Sequence, residues 1–100
     1  MATLIQMDFP YEGPFGAEMA TAMSDLAKSI LDEPGFIWKI WTEKESEQIA
    51  GGIYLFESEA TAKAYLSKHI KRLKDLGVQQ INAKILDVND ELSSIDKGPT

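Results

Sequence analysis

His69 is the only histidine in this sequence and the one side chain whose ordinary pKa lies near neutrality. It falls in a segment, 58–76, where Ala62, Tyr65, Leu66, Leu73 and Leu76 recur at helical spacing. Projected at about 100° per residue, His69 sits at the centre of that apolar stripe. An imidazole placed there faces a core rather than water. It can serve as a base, or it can be a hydrogen-bonded core histidine with no chemistry. Tyr65 lies one turn earlier, and Arg72 lies on the flank of the stripe, where it grips a ligand or lays its stem along apolar surface. Trp38 and Tyr54 come from two β-rich segments and bring an N–H and an O–H on large apolar bodies. Together these residues describe an apolar cavity with a few donors and one titratable group, the usual character of a small-molecule site.

Other chemistries are excluded by what is missing. No cysteine occurs, so thiolate nucleophiles, thiolate metal sites and disulfides are ruled out. One histidine is too few for a two-histidine, one-carboxylate iron site, and no zinc pattern, phosphate loop or G-x-S-x-G motif is found, so no metal site is expected. Gly13-Pro14-Phe15-Gly16 is a turn and helix start, too short for a nucleotide fingerprint. The net charge is −6 and the lysines are interspersed with acids, so neither nucleic acid nor an anionic membrane is an expected partner. No stretch approaches the ~18 apolar residues of a membrane span, and the N-terminal residues carry no secretory pattern. A cytoplasmic location is the expectation.

The elements that must position these side chains follow from periodicity. Residues 2–9 form a first strand, ended by Pro10 and Gly13-Pro14. From Pro14, as first helical residue, Phe15, Met19, Ala20, Met23, Leu26, Ala27, Ile30 and Leu31 mark one amphipathic helix of about five turns, stopped by Pro34-Gly35. Residues 36–43 and 49–56 are β-rich and joined by a short polar loop, which predicts a hairpin. Ser58 caps a second helix running to Leu76, with Gly77 after it, and residues 79–87 alternate as a fourth strand with Ile81, Ala83 and Ile85 inward. The order β-α-β-β-α-β predicts an α+β, ferredoxin-like antiparallel sheet with two helices on one face. One domain is expected over 1–87, with 88–100 a polar tail that docks locally or on a partner subunit.

The second strand is apolar on both faces. Phe36, Trp38 and Ile40 share one face, while Ile37 and Trp41 share the other with Ile53 and Leu55. A sheet with water on one side alternates cleanly, so this second apolar face calls for cover by a loop, the tail or a second copy of the chain, and a homodimer is the reading preferred here. A regular hairpin register sets Trp41 opposite Gly51, Ile40 opposite Gly52, Trp38 opposite Tyr54 and Phe36 opposite Phe56. A β-bulge at the glycines would break that register.

Gly13-Pro14-Phe15-Gly16, the run from Glu33 to Glu43, Gly51-Gly52-Ile53-Tyr54-Leu55-Phe56, Ala64-Tyr65-Leu66 with Lys68-His69, Leu76-Gly77-Val78 and Asp87-Val88-Asn89 together resemble the YdhR-type monooxygenases over nearly the whole chain. The resemblance implies a dimeric α/β barrel, two ferredoxin-like sheets face to face, within the antibiotic-biosynthesis monooxygenase superfamily. It implies oxygenation of a small aromatic molecule (phenolic, anthrone-like or quinol) with no cofactor. On that reading His69 is the base, Tyr54 and Trp38 are donors, Tyr65 orients, and Phe36 and Arg72 complete the ligand pocket. Haem-degrading relatives of this fold use an Asn, a Trp and a helix-borne His. Here the first strand offers Gln6 in place of the Asn, as a ligand-binding candidate. A dimer that only binds a small apolar molecule is the non-enzymatic alternative.

Overall fold

A computed structural model of the chain describes residues 2–100. Met1, the first residue of the expected domain 1–87, lies outside them. The elements are β1 (Thr3–Pro10), α1 (Gly16–Ala22), α2 (Ser24–Ile30), β2 (Phe36–Lys44), β3 (Ile49–Phe56), α3 (Glu59–Asp75), β4 (Asn82–Asp87) and α4 (Asp90–Ile95). The strands form one sheet in the order β2-β3-β1-β4, every neighbouring pair antiparallel. This is the ferredoxin-like α+β arrangement. Ile5, Met7, Tyr54 and Phe56 on the inner face of the sheet pack against Ile30, Ala62, Tyr65 and Leu73 from the helices, and these eight residues are the core.

α3 starts where the sequence places it. Ser58 Oγ accepts from Thr61 N at 3.2 Å and Ser58 N donates to Thr61 Oγ1 at 3.3 Å, a reciprocal cap that satisfies two donors at the helix start. The helix ends at Asp75 and the chain turns through Gly77 at φ 90. Leu76 therefore leaves the stripe and is exposed, while Ala62, Tyr65, His69 and Leu73 are buried.

Three expectations need correction. The first helix is two, broken at Met23, and it starts at Gly16 rather than Pro14. Helical hydrogen bonds continue across the break, from Met23 N to Met19 O and from Ala27 N to Met23 O. Just before it, Thr21 Oγ1 donates to Ala17 O at 3.2 Å, a back-bond of the kind that bends helices. The polar segment after β4 contains a helix, α4, capped by Asn89 Oδ1 accepting from Leu92 N. The third correction moves side chains between faces: β2 carries a bulge between Phe36 and Trp38, so Trp38 pairs with Leu55, Lys39 with Tyr54 and Trp41 with Gly52. Phe36 still pairs with Phe56. Beyond the bulge every residue of β2 faces opposite to the expectation, since successive side chains alternate. Lys39 and Trp41 turn inward. Trp38 and Ile40 turn outward, onto the face of Ile53 and Leu55.

Candidate active site

Between the inner face of the sheet and the helices lies a cavity of about 750 Å³, within the range of small-molecule pockets. Lys39 and Trp41 from β2, Tyr54 from β3, His69 from α3, Met19 from α1 and Tyr11 after β1 are among its lining residues. His69 arrives there because α3 is amphipathic with the imidazole in mid-stripe. It is 3% exposed. Its ring stacks on Tyr65 at 5.3 Å and meets Tyr54 edge-on at 6.3 Å. Burial, with Lys39 and then Arg72 adding positive charge nearby, lowers its pKa from 6.5 to about 4. The imidazole is therefore neutral at pH 7 and its Nδ1 is buried without a hydrogen-bond partner. Tyr11 Oη is buried and unpartnered too. Among the described residues these are the only buried side-chain polar atoms left unsatisfied, and both belong to residues lining this cavity.

Tyr54 is 1% exposed, and burial, reinforced by Tyr65, holds its hydroxyl far above the usual phenol range. Tyr65 is pushed up to about 12 by burial. Both stay protonated, so each is a donor at any working pH. Tyr65 also stacks on Phe56 at 5.3 Å, which fixes the plane on which the imidazole rests.

The structure brings together His69, Tyr54 and Tyr65, with Arg72, half-buried and three residues beyond His69 on α3, close enough to act on the pKa of all three. It does not bring the others. Trp38 is on the outer face, where its indole N–H donates to Pro99 O at 2.7 Å. Gln6 pairs with Ile53 and Lys84 and is exposed on that same outer face. With both residues across the sheet from His69, one chain does not assemble the Asn–Trp–His set of the haem-degrading arrangement. Phe36 packs edge-on against Phe56 in the core, at 5.8 Å, and does not line the cavity; nor do Tyr65 and Arg72, which adjoin His69 without reaching the cavity wall.

Lys39 and Trp41 are the residues sequence reasoning missed. Lys39 Nζ lies 3.4 Å from the centroid of the Trp41 ring and 4.6 Å from that of Tyr54. Burial, with Arg72 as a like-charged neighbour, lowers its pKa from 10.5 to about 7. A signal existed in the run Ile37-Trp38-Lys39-Ile40-Trp41, where a lysine interrupts four apolar residues. Its inward direction depends on the bulge, which the sequence does not announce. Gly52 makes the room: a Cβ there would stand 2.9 Å from Lys39 Cε and 3.0 Å from Tyr54 Cε1. Gly51 serves the other side, since a Cβ there would run into Met7 O of β1.

The described residues contain no cluster of three or more metal-capable side chains and no helix long and apolar enough to cross a membrane. The cavity thus combines a neutral imidazole, a titratable amine and the protonated phenol of Tyr54 inside a mostly apolar wall, with Tyr65 stacked on the imidazole. Such a set can take a proton from a bound aromatic molecule and donate hydrogen bonds to the charge that develops.

Among curated protein sequences none matches the chain. Among solved structures, one similar fold is a variant of SnoaB, a cofactor-independent oxygenase from Streptomyces nogalater, at TM-score 0.63 and 14% identity over 88% of this chain and 93% of that one. A second is a monooxygenase from the gene ActVA-Orf6 of Streptomyces coelicolor in complex with nanaomycin D, at TM-score 0.59 and 17% identity over 88% of each chain. A third, from Deinococcus radiodurans, is described as a putative antibiotic biosynthesis monooxygenase and gives TM-score 0.58 with 15% identity over 89% of this chain and 93% of that one. At these identities the likeness is one of fold. The family model described as "Putative mono-oxygenase ydhR" matches residues 4–99, and the chain belongs to that family.

Proposed function

We propose that this protein oxygenates a small electron-rich aromatic molecule, a phenol, an anthrone or a quinol, inside the cavity and without a bound redox cofactor. The observation that carries the reading is the cavity itself, a mostly apolar space that the neutral imidazole of His69, the Tyr54 hydroxyl and the Lys39 amine line together. An apolar pocket with a few convergent polar groups and shifted titratable side chains is the usual character of a small-molecule site. The oxygenases of the same fold support the activity by analogy.

His69 takes the acidic proton of the substrate, and the C–H electron pair stays behind as a carbanion delocalised over the ring. The carbanion passes an electron to O₂ and the two radicals join as a peroxide anion. Protonation gives the hydroperoxide, and loss of water from it leaves the carbonyl of the quinone. Tyr54 donates a hydrogen bond to the oxyanion, and the low polarity of the wall strengthens that bond. Tyr65 keeps the imidazole plane fixed. The working unit is a homodimer, with the outer faces of the two sheets packed together. Ile40 at 54% and Leu86 at 40% exposure leave that face more apolar than a solvated sheet surface.

Oxygen uptake by metal-free protein over a panel of anthrones and hydroquinones tests the reading. Uptake is expected, and His69→Ala lowers it by about two orders of magnitude or more, the usual contribution of a general base. Undiminished uptake by that variant removes His69 from the base role. No uptake, with thermal stabilisation by the same compounds, makes the protein a binding module instead.

A further inference from the structure

Lys39 carries a buried amine with no carboxylate partner among the described residues. No carboxylate lies within ion-pair distance of it among the described residues; the pairs found are Lys44–Glu47, Lys63–Glu59 and Lys68–Glu33. Its Nζ is held instead between the Trp41 and Tyr54 rings, whose faces attract a cation but accept no proton. The groups around it make matters worse for a positive charge. His69 is neutral, Tyr54 is a donor, and Arg72 on α3 adds a second positive charge. Glu12 and Glu47 also line the cavity, but Glu47 is engaged with Lys44 at 3.1 Å and neither carboxylate pairs with Lys39. A charge taken out of water without a partner is costly, and Gly52 is kept free of a side chain where this one passes. No lining carboxylate reaches Lys39, and the amine itself lines the cavity, where a bound anion can meet it.

We propose that Lys39 is the anion-binding group of this cavity and that the cavity selects aromatic ligands bearing an ionisable hydroxyl, holding them as phenolates against the Lys39 ammonium. The inference rests on the oxygenase reading for the identity of the ligand as a ring-hydroxylated aromatic; the charge pairing itself does not require oxygen. Binding moves one proton. The phenol O–H breaks, its proton passes to Lys39 where the amine is neutral and to solvent where Lys39 is already an ammonium, and in either case the bound state is an ammonium–phenolate pair. The titration of Lys39 near pH 7 leaves a large share of the amine free to accept that proton. An ionised hydroxyl also raises the electron density of the ring that must reduce O₂. Lys39 and His69 then divide the work, one acting on the oxygen of the substrate and the other on its carbon.

The test is a titration under nitrogen with 4-nitrophenol, whose phenolate absorbs in the visible and whose neutral form does not, at a pH below its own ionisation. Wild-type protein is expected to bring up the phenolate band on binding. Lys39→Met is expected to bind the probe roughly tenfold or more weakly and without the band, as loss of one partner of a desolvated charge pair predicts. Lys39→Arg keeps a cation and is expected to bind the already ionised probe, at higher pH, with an affinity close to that of wild type. Thermal melting separates this from misfolding: Lys39→Met removes an uncompensated buried charge and is expected to melt no lower than wild type. An unchanged band in Lys39→Met, binding of the neutral phenol by wild type, or no binding by wild type overturns the proposal. Oxygen uptake run in parallel keeps the two readings apart. A phenolate band without uptake removes the oxygenase and leaves the anion site standing, whereas uptake without the band does the reverse.

Discussion

In the unfolded chain His69 protonates around its ordinary 6.5, but in the folded protein it resists protonation down to about 4, because burial and the charges of Lys39 and Arg72 oppose it. Between those values the unfolded state binds more protons, so the contribution of His69 to stability is full above about pH 6.5 and falls as the pH drops toward 4. At ~1.4 kcal/mol per pH unit the loss attributable to this one residue is roughly 2 kcal/mol between pH 6.5 and 5. Urea unfolding at the two pH values is expected to show that difference in wild type and its absence in His69→Phe. A parallel loss in both proteins assigns the effect to other groups. The histidine was legible in the sequence because the helical stripe is a local pattern, and so were Tyr54 and Tyr65. Lys39 and Trp41 were not. Their direction is decided by a non-local choice, the register of β2 on β3, and a lysine flanked by apolar residues reads as exposed when the strand is counted without interruption.

α3 is the element that carries the imidazole, and its start is tied to the rest of the molecule at one point. The Ser58–Thr61 cap packs against the turn before β2, where Glu57 N donates to Gly35 O at 2.8 Å and a Cβ on Gly35, at φ 76, would overlap the Thr61 side chain. Ser58→Ala is expected to cost about 1 kcal/mol in chemical denaturation, the ordinary value of an N-cap, while leaving the ligand affinity of the folded protein unchanged. A fall in affinity at full folding would mean that the cap sets the position of His69 as well as the stability of the helix. Such caps are among the best-determined features of a sequence, and Ser58, Gly77 and the hairpin 36–56 were all placed correctly from it. The bend at Met23 and the helix Asp90–Ile95 were not. The first interrupts a continuous apolar pattern that gives no sign of it, and the second is a helix of six residues with only two large apolar side chains.

At the scale of the molecule, the sheet is covered on one face by α1, α2 and α3 and on the other only in part. The radius of gyration is 13.9 Å, slightly above the ~13 Å of a compact chain of this length. Leu55 is fully buried on the outer face and Trp38 is tied to Pro99, yet Ile40, Leu86 and, on α4, Leu92 and Ile95 remain exposed. If the proposed dimer forms through this face, wild-type protein sediments as a dimer at micromolar concentration and Ile40→Lys, which sets a charge on the patch, sediments as a monomer. A wild-type monomer refutes the dimer and leaves the cavity, which lies across the sheet, untouched. One residue separates these two surfaces. Ile37 acts as an inserted letter in a message read two letters at a time: before it the even-numbered side chain, Phe36, points to the helices, and after it the odd-numbered ones do. The parity of the strand, more than the identity of its tryptophans, decides which indole lines the cavity and which lies on the outer face. In a relative whose strand lacks that extra residue, the same letters aligned column by column would trade places between the cavity and the outer face.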